Sequence, residues 1–415
     1  MKRILYLTFY FEPDLCAGSF RNTPLAKELA SQLHGKAIVD VITTLPNRYK
    51  SFAVDSPEEE KIDNLTIRRI NMPGHKSGFI DQMNSFKHYF FQAKKIVKNK
   101  QYDLVFASSS RLFTAYTGYV LAKKLKVALY LDIRDIFTDT MNDVIKSRFI
   151  KIGLIPVLRF FERRIFRYAS HINLISPGFH SYFQQYKTPN YSFFTNGIDD
   201  DFILDKNDPG NTIDTDKPIV ITYAGNIGEG QGLHKIIPMA ALLAGEEYLF
   251  RIIGDGGAIG LLKNEIKKLK VKNVLLEKPV KRKKLIEIYK ESHFLFIHLN
   301  DYKAFEKVLP SKIFEAGAFP RPILAGVKGF ARQFILENID NVIFFEPGNA
   351  NDLINKLAQY TYHCESRESF IQAYRREEIN KSLAASIRSY LSLQNVIALT
   401  GAKGVSFPRV RPFKS

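Results

Sequence analysis

Residues Ile219–Leu233, IVITYAGNIGEGQGL, contain the repeating unit from which the fold of this chain can be predicted. Apolar and β-branched residues lead directly into a glycine-rich turn, and the helical segment Leu233–Ala244 follows. Glycines let a backbone turn tightly and approach an anion, which then faces the free N–H groups of the helix N-terminus. The stretch therefore predicts a buried strand, a turn suited to a phosphate, and a helix. Because strand-to-helix turns often contain glycine, this turn alone is weak support for a ligand.

Two further turns of this kind follow predicted strands. GDGG at Gly254–Gly257 follows Phe250–Ile253, and LPSKIFEAGAFPRPILAG spans Leu309–Gly326. In the latter, Ser311 is a candidate N-cap, Lys312 lies in the first helical turn, and Glu315 is a lone carboxylate in an apolar segment. A helix N-terminus with a lysine suits a phosphate, while Glu315 could accept hydrogen bonds from ribose hydroxyls or cap its own helix.

The three turns are expected at one edge of one sheet. The carboxyl ends of the strands in an open α/β sheet form the edge at which such sheets bind ligands. A nucleotide diphosphate is the predicted ligand of this edge.

Short apolar runs alternate with longer helical segments along the whole chain, which predicts parallel α/β sheets. The polar stretch 205–217, DKNDPGNTIDTDK, is the predicted linker between domains 1–204 and 218–380. A helix at 381–400 is expected to return to the first domain, and 401–415 is a basic tail. Within the first domain, the first strand is predicted over Ile4–Phe11 and the first helix from Pro24.

The composition of the 415 residues, 45% hydrophobic and 25% charged, is that of a globular protein with ample core. Two cysteines argue against a disulfide framework and suit a reducing cytoplasm. The apolar run at the N-terminus ends in Glu-Pro-Asp without a small-residue cleavage site, so it is interpreted as a buried strand. No apolar run approaches the length of about 18 residues that spans a bilayer.

The net charge of +18 is concentrated in particular segments. Seven basic residues and one acid lie between Ile145 and Ala169 among aromatic and aliphatic residues, and His75–Lys100 has a similar pattern. Such helices suit an anionic membrane surface, although a core-facing helix with a solvated basic face would give the same pattern. The predicted membrane-facing residues are Arg159, Arg163, Arg164 and Arg167. No nucleic-acid-binding motif is present, so nucleic acid is not an expected partner.

The first domain also contains polar motifs at strand ends. YFEPDLCAGSFR places Gly18 and Ser19 between the first strand and the first helix, and DIRD brings Asp132, Arg134 and Asp135 to the end of another strand. The DIRD residues could bind sugar hydroxyls or form a structural ion pair. The run Asp199–Asp201 contains a D-x-D pattern but follows a turn-like Asn-Gly, so it is interpreted as a loop or helix start. No spacing indicates metal ligands or covalent catalysis, so no metal or cofactor is predicted.

In their order along the chain, these motifs resemble the retaining glycosyltransferases of family 4, which have the GT-B fold. The resemblance covers nearly the whole chain and rests on YFEPDLCAGSFRNTPLAKELA, NGID, YAGNIG, RIIGDGG, LPSKIFEAGAFPRPILAG and FFEPGNANDL. DIRD, GNIGEGQGL and LPSKIFE look most like the subgroup of O-antigen and capsule gene clusters, which includes N-acetylfucosamine transferases. The resemblance implies two Rossmann-like α/β domains with a cleft between them.

The resemblance further implies transfer of a sugar from a nucleotide diphosphate to a hydroxyl, with retention at the anomeric carbon and without a metal. The donor would bind the second domain, with the ribose on Glu315, and the loop at Gly18 would face the donor phosphates and the acceptor. The implied donor-binding residues are Gly18, Asn226, Gly228, Gln231, Gly254, Asp255, Ser311, Lys312 and Glu315. The implied acceptor-side residues are Ser19, Arg21, Asp132 and Arg134, and Asp135 is the candidate for contacting the acceptor.

The chain departs from the family pattern at three positions. Lys307, with Glu306 beside it, stands where the family often has a second glutamate. Asn226 and Gln231 replace the usual arginine and lysine, which leaves Lys312 as the leading candidate for binding the diphosphate.

The expected protein is a peripheral enzyme on the cytoplasmic face of the inner membrane. It would use a UDP-sugar, with an N-acetylated deoxyhexose as one option, to extend a lipid-linked glycan. Two alternatives remain, a sugar-nucleotide epimerase of the same fold and a non-catalytic nucleotide- or membrane-binding protein.

Overall fold

The computed structural model describes residues 1–47, 55–72, 79–109, 112–145, 147–203 and 216–400. The chain divides into two compact units. The first contains the described residues up to Thr195 together with those from Ile379 onward. The second contains the described residues between Asn196 and Glu378.

The first unit is built on a sheet of eight strands in the order β3-β4-β2-β1-β5-β6-β7-β8, parallel except for the antiparallel pair β3–β4. The strands are β1 (Lys2–Leu7), β2 (Ala37–Thr44), β3 (Glu59–Ile62), β4 (Leu65–Ile70), β5 (Leu104–Ser109), β6 (Ala128–Ile133), β7 (His171–Leu174) and β8 (Asn190–Ser192). The helices are α1 (Ala17–Gln32), α2 (Phe79–Val97), α3 (Leu112–Leu125), α4 (Phe137–Val144), α5 (Arg148–Tyr168) and α6 (His180–Phe183). The central strand β5 is buried along its length and β1 is buried from Ile4 onward, as expected for a parallel sheet covered on both faces.

The start of the first helix differs from the prediction. Helix α1 begins at Ala17 rather than Pro24, and β1 ends at Leu7 rather than Phe11. The reason is the capping box at Cys16, in which the Cys16 side chain accepts from the backbone N–H of Ser19 and the Ser19 hydroxyl accepts from the N–H of Cys16 at 3.4 Å. Because this capping box satisfies two backbone N–H groups at the helix start, the helix begins early and carries Pro24 in its interior. Gly18 and Ser19 are therefore helical residues rather than loop residues.

The second unit contains a six-stranded parallel sheet in the order β11-β10-β9-β12-β13-β14. Its strands are β9 (Ile219–Asn226), β10 (Tyr248–Asp255), β11 (Val274–Glu277), β12 (Phe294–His298), β13 (Ile323–Gly326) and β14 (Val342–Phe344). Its helices are α7 (Leu233–Ala244), α8 (Ile259–Leu269), α9 (Arg282–Glu291), α10 (Lys312–Gly317), α11 (Gly329–Asn338), α12 (Ala350–Ala358) and α13 (Glu368–Ala373). The chain order reverses between β9 and β12, which is the position where open α/β sheets bind ligands.

The boundary between the units lies after Thr195, before the predicted boundary at 204. The NGID turn belongs to the second unit because the Ile198 N–H donates to the Tyr374 carbonyl at 2.8 Å and Ile198 packs in that unit's core. Residues 205–215 of the predicted linker and the whole predicted tail, 401–415, lie outside the described residues.

The last helix, α14 (Arg376–Thr400), leaves the second unit and enters the first, which confirms the predicted return helix. Its apolar residues Leu383, Ala384 and Ile387 are fully buried in the core formed with β1, β2 and β5. Within the described part of the chain, no helix combines the length and apolar character of a membrane span.

Candidate functional site

The glycine turns after β9 and β10 lie side by side in the second unit. Gly225 and Gly254 are paired in the ladder, with φ of +141° and +148° respectively. A Cβ on Gly254 would lie 1.8 Å from the Gly225 carbonyl oxygen, so only glycine allows this approach. The two strand ends therefore form one backbone surface beside the switch point.

The side chains in these turns hold the turns together. The Asn226 amide donates to Gln231 Oε1 at 2.8 Å, and the Gly228 N–H donates to the same oxygen at 3.2 Å. Asp255 Oδ1 accepts from the Gly256 N–H at 2.7 Å. Asn226 and Gln231 thus shape the first turn as neutral groups, and neither supplies the cation that the family pattern has there.

Two buried residues, one at the end of β12 and one just after it, support the first turn, and sequence reasoning missed both. His298 Nδ1 donates to the Gln231 carbonyl at 2.6 Å, and Nε2 accepts from the Gly348 N–H at 2.9 Å. The Gly348 N–H can only donate, so the ring is neutral with its proton on Nδ1. The Asn300 amide donates to the Glu229 carbonyl at 2.9 Å. The available signal was the polar end, His-Leu-Asn, of an otherwise apolar strand.

We expect the stability of the second unit to depend on pH through His298. Burial lowers its pKa from 6.5 to about 4, because a charged ring would lose solvation in the core. The stabilisation is complete above the unfolded pKa of about 6.5 and is lost as the pH falls toward 4. Between pH 7 and pH 5 the loss should be about 2 kcal/mol in the free energy of unfolding.

Urea unfolding of wild type and His298→Gln at both pH values measures this loss. Gln can keep a donor and an acceptor but does not titrate, so its unfolding free energy should fall less between the two pH values. Equal pH dependence in both proteins would contradict the assignment. The buried His171 is present in both proteins, so its own titration cancels in the comparison.

Helix α10 brings Lys312 and Glu315 to the same strand ends. Ser311 occupies the N-cap position, as predicted, but its side chain makes no capping hydrogen bond. The Lys312 ammonium donates to the carbonyl of Ala224 and lies 4.8 Å from the centroid of the Tyr223 ring. A Cβ on Gly225 would lie 1.6 Å from Lys312 Nζ, so the glycine also makes room for the ammonium. Burial lowers the pKa of Lys312, and the charge of Glu315 opposes that shift.

Glu315 is a half-buried carboxylate with an open hydrogen-bonding capacity. Burial raises its pKa, while the positive charges of Lys312, Arg282 and Arg376 act in the opposite direction. Among the described residues, no group donates a hydrogen bond to this carboxylate, and its oxygens keep some exposure to solvent. The carboxylate is thus available to a ligand that carries hydroxyl groups.

The NGID turn supplies the carboxylate that holds the two arginines in place. Asp199 Oδ1 lies 2.6 Å from Arg376 Nε, and Oδ2 lies 3.0 Å from Arg282 Nη2. Asp201 also pairs with Arg282, at 3.4 Å, and Asp200 pairs with Arg375 at 2.9 Å. The D-x-D pattern therefore forms ion pairs at the start of a short 3-10 turn. Among the residues that the structure describes, no cluster of His, Cys, Asp and Glu is arranged to hold a metal.

In the first unit, Asp132 forms a structural ion pair, which is one of the two alternatives stated for the DIRD residues, and its partner is Arg21. Arg21 Nε and Nη2 bind the two Asp132 oxygens at 2.9 and 2.8 Å, and the side chains are 1% and 0% exposed. Burial alone would raise the pKa of Asp132, but the charge and hydrogen bonds of Arg21 hold it below its ordinary value. Both residues are thus corrected from acceptor contacts to groups that hold α1 against the sheet.

The remaining first-unit candidates differ in accessibility. Ser19 is fully buried in the capping box, so it is also corrected as an acceptor contact. A Cβ on Gly18 would lie 3.0 Å from Arg134 Nη1, which places this glycine against the arginine. Arg134 and Asp135 are half-buried, and burial raises the pKa of Asp135 to about 6 although the Thr140 hydroxyl donates to it at 3.2 Å. Arg134 and Asp135 remain candidates for an acceptor.

The predicted membrane-facing arginines all lie exposed on α5, whose opposite stripe is buried in the first unit. These residues are Arg159, Arg163, Arg164 and Arg167.

The family comparison matches the second unit. Residues 205–377 match the family model described as glycosyl transferases group 1. This range contains the glycine turns, Lys312 and Glu315. A comparison with curated proteins gives no match.

Solved glycosyltransferase structures share the architecture over nearly the whole chain. Sucrose-phosphate synthase from Thermosynechococcus elongatus has a TM-score of 0.68 and 12% identity, over 96% of this chain and 98% of that one. WaaG, described as a glycosyltransferase involved in lipopolysaccharide biosynthesis, has a TM-score of 0.60 and 15% identity, over 96% and 100%. HepE of Anabaena, solved with UDP-glucose, has a TM-score of 0.59 and 13% identity, over 96% and 100%. With two Rossmann-like parallel-sheet units, the chain has the GT-B fold.

Proposed function

We propose that the protein is a glycosyltransferase that moves a sugar from a nucleoside diphosphate donor to a hydroxyl group. The observation that carries the proposal is the pair of charged groups on α10 at the switch point of the second unit. The open carboxylate of Glu315 suits the two hydroxyls of a ribose, and the ammonium of Lys312 suits a diphosphate. Both lie in the part of the chain that matches group 1 glycosyltransferases.

The proposed chemistry is loss of the nucleoside diphosphate from the anomeric carbon and attack by an acceptor hydroxyl with retention. The departing diphosphate gains negative charge, which fixed N–H groups and an ammonium stabilise at no cost in reorganisation. We assign this role to the backbone around Gly228 and Gly254 and to Lys312, without a metal or another cofactor. No side chain is proposed as a covalent nucleophile. The remaining proposed donor-binding residues are Gly18, Asn226, Gln231, Asp255 and Ser311.

We propose UDP as the nucleotide. HepE of Anabaena, which has the same fold, was solved in complex with UDP-glucose. The sequence resemblance to the O-antigen and capsule subgroup supports an N-acetylated deoxyhexose as the sugar.

For the acceptor we propose a lipid-linked glycan at the cytoplasmic face of the inner membrane, in the synthesis of a surface polysaccharide. WaaG, with the same fold, takes part in lipopolysaccharide biosynthesis. Asp135 and Arg134 are the proposed contacts to this acceptor. A carboxylate whose pKa is raised to about 6 is suited to accept a proton from a hydroxyl near neutral pH.

A thermal-shift screen of UDP-, GDP- and dTDP-sugars, followed by a product assay, tests the proposal. A ligand that binds only the folded state raises the melting temperature in proportion to the logarithm of its concentration over Kd. We expect the largest shift with a UDP-sugar, and release of UDP that depends on a lipid-linked acceptor. Conversion of the sugar nucleotide without any acceptor would indicate an epimerase. Binding without turnover would indicate a non-catalytic protein.

A further inference from the structure

The first half of α5 exposes a run of large apolar side chains. The exposed fractions of Phe149, Ile150, Ile152 and Val157 are 89%, 55%, 64% and 49%. The core of the first unit does not need them, because α5 buries a separate stripe, which consists of Ile155, Leu158, Glu162, Ile165 and Phe166. Contiguous apolar side chains that are exposed to water are typical of a surface that binds a protein or a membrane.

The second half of α5 is basic and forms a groove with α3. The groove has a volume of about 600 Å³. Its lining contains three arginines and a lysine interleaved with aromatic rings, namely Arg163, Arg164, Arg167, Lys123, Tyr119, Phe160 and Tyr168. The Arg164 guanidinium lies 4.4 Å from the Phe160 ring centroid, and the Lys123 ammonium lies 5.8 Å from that of Tyr119.

The positive charge of this groove is not neutralised within the described part of the chain, where no carboxylate forms an ion pair with any of the four cations. The single acid of α5, Glu162, points into the core. It accepts hydrogen bonds from the Thr138 hydroxyl at 2.6 Å and the Tyr182 hydroxyl at 2.5 Å, and it is 2% exposed. Four like charges held together repel one another, and a phosphate relieves this repulsion while accepting paired N–H bonds from arginine.

We propose that α5 docks the protein on an anionic phospholipid bilayer. The groove between α3 and α5 takes a lipid phosphate headgroup, and the apolar first half of α5 lies among the acyl chains. The helix has 21 residues, so it can lie in the plane of the interface over about 30 Å. Phe160, Tyr119 and Tyr168 then sit at headgroup depth, where aromatic residues are favoured.

The apolar half of α5 distinguishes a bilayer from other anionic partners. A nucleic acid would neutralise the arginines but would leave Phe149 and its neighbours in water. A second copy of the chain would bring two basic grooves together. The docking proposal rests on the proposed function in one respect, because docking would bring the enzyme to a lipid-linked acceptor. Binding to the bilayer itself requires no sugar transfer.

Insertion can be measured directly because the chain has no tryptophan. In full-length Phe149→Trp, the tryptophan emission should shift to the blue with phosphatidylcholine vesicles that contain phosphatidylglycerol, and should not shift with phosphatidylcholine alone. The matched control is Leu336→Trp on α11, since Leu336 is also exposed, at 62%, but belongs to the second unit. An unshifted emission of the Phe149→Trp variant, or equal shifts of both reporters, would overturn the proposal.

The groove is tested by vesicle sedimentation of Arg163→Gln/Arg164→Gln/Arg167→Gln. At about 1 kcal/mol per basic residue, the triple change should lower partitioning onto phosphatidylglycerol vesicles on the order of a hundredfold. Lys263→Gln/Lys267→Gln/Lys268→Gln on α8 removes the same charge from the second unit and should have a much smaller effect. Equal losses would overturn the groove assignment.

Three further measurements separate the possible sources of failure. If inorganic phosphate or diphosphate binds the groove but the protein does not bind vesicles, the groove is an anion site only. This result would overturn the docking proposal. RNA that outcompetes the vesicles would overturn it in favour of a nucleic acid. The UDP-induced thermal shift of the triple variant should equal that of wild type, which shows that it is folded and that its donor site is intact. Failure of docking is thereby distinguishable from failure of the proposed sugar transfer.

Discussion

Arg21→Met is expected to lower the free energy of unfolding by about 3–5 kcal/mol, because it leaves a buried carboxylate without its ionic partner. Asp132 would retain only hydrogen bonds from Ser108 and Asn173, both at 2.8 Å. The carbonyls of Phe194 and Thr195, which Arg21 also binds at 2.9 and 2.8 Å, would lose a donor. The change therefore loosens α1, β6 and the end of the first unit together.

Urea unfolding measures the effect, and Lys27→Met is the matched control on the same helix. The ion pair of Lys27 with Glu12, at 3.6 Å, is about half exposed, so its loss should cost less than about 1 kcal/mol. In Arg21→Met/Asp132→Asn the second change removes the unpaired charge, so the double variant should be more stable than the sum of the single effects predicts. If Arg21→Met loses no more than Lys27→Met, the ion pair does not contribute as proposed.

Much of the secondary structure follows from apolar periodicity alone. The predicted strand Leu65–Ile70 and helix Leu233–Ala244 coincide with β4 and α7, because each is bounded by clear polar or glycine breaks. The prediction was wrong where a single residue type suggested a boundary. Proline often marks the first turn of a helix, yet Pro24 lies inside α1 because the capping box at Cys16 starts the helix earlier.

The part of the candidate donor site whose residues are neighbours in the sequence was predictable. Lys312 and Glu315 belong to one short motif, and the glycine turns follow strands that periodicity identifies. Arg282 and Arg376 could not be found in this way, since they come from α9 and α14 and meet only through Asp199. The Arg21–Asp132 pair joins residues 111 positions apart, so its role as an ion pair could be judged only from the folded chain.

Glu315→Gln is expected to weaken UDP binding about ten- to a hundredfold, because hydrogen bonds to a charged group contribute roughly 1.5–3 kcal/mol. Gln keeps the size of the side chain but removes the charged carboxylate, whose two oxygens would accept hydrogen bonds from both ribose hydroxyls. Since burial raises the pKa of Glu315, UDP affinity in the wild type should also fall with decreasing pH before an exposed glutamate would titrate. The variant should lack this dependence.

Calorimetry with UDP and 2′-deoxy-UDP isolates the ribose contact from other effects of the substitution. The wild type should prefer UDP over the deoxy ligand, and Glu315→Gln should show a clearly smaller preference, since its amide carries no charge and has one acceptor oxygen where the carboxylate has two. Glu306→Gln is the control, because Glu306 is exposed and should leave both affinities unchanged. If Glu315→Gln keeps the wild-type preference, the ribose binds elsewhere, and Glu315 serves only to balance the charge of Lys312.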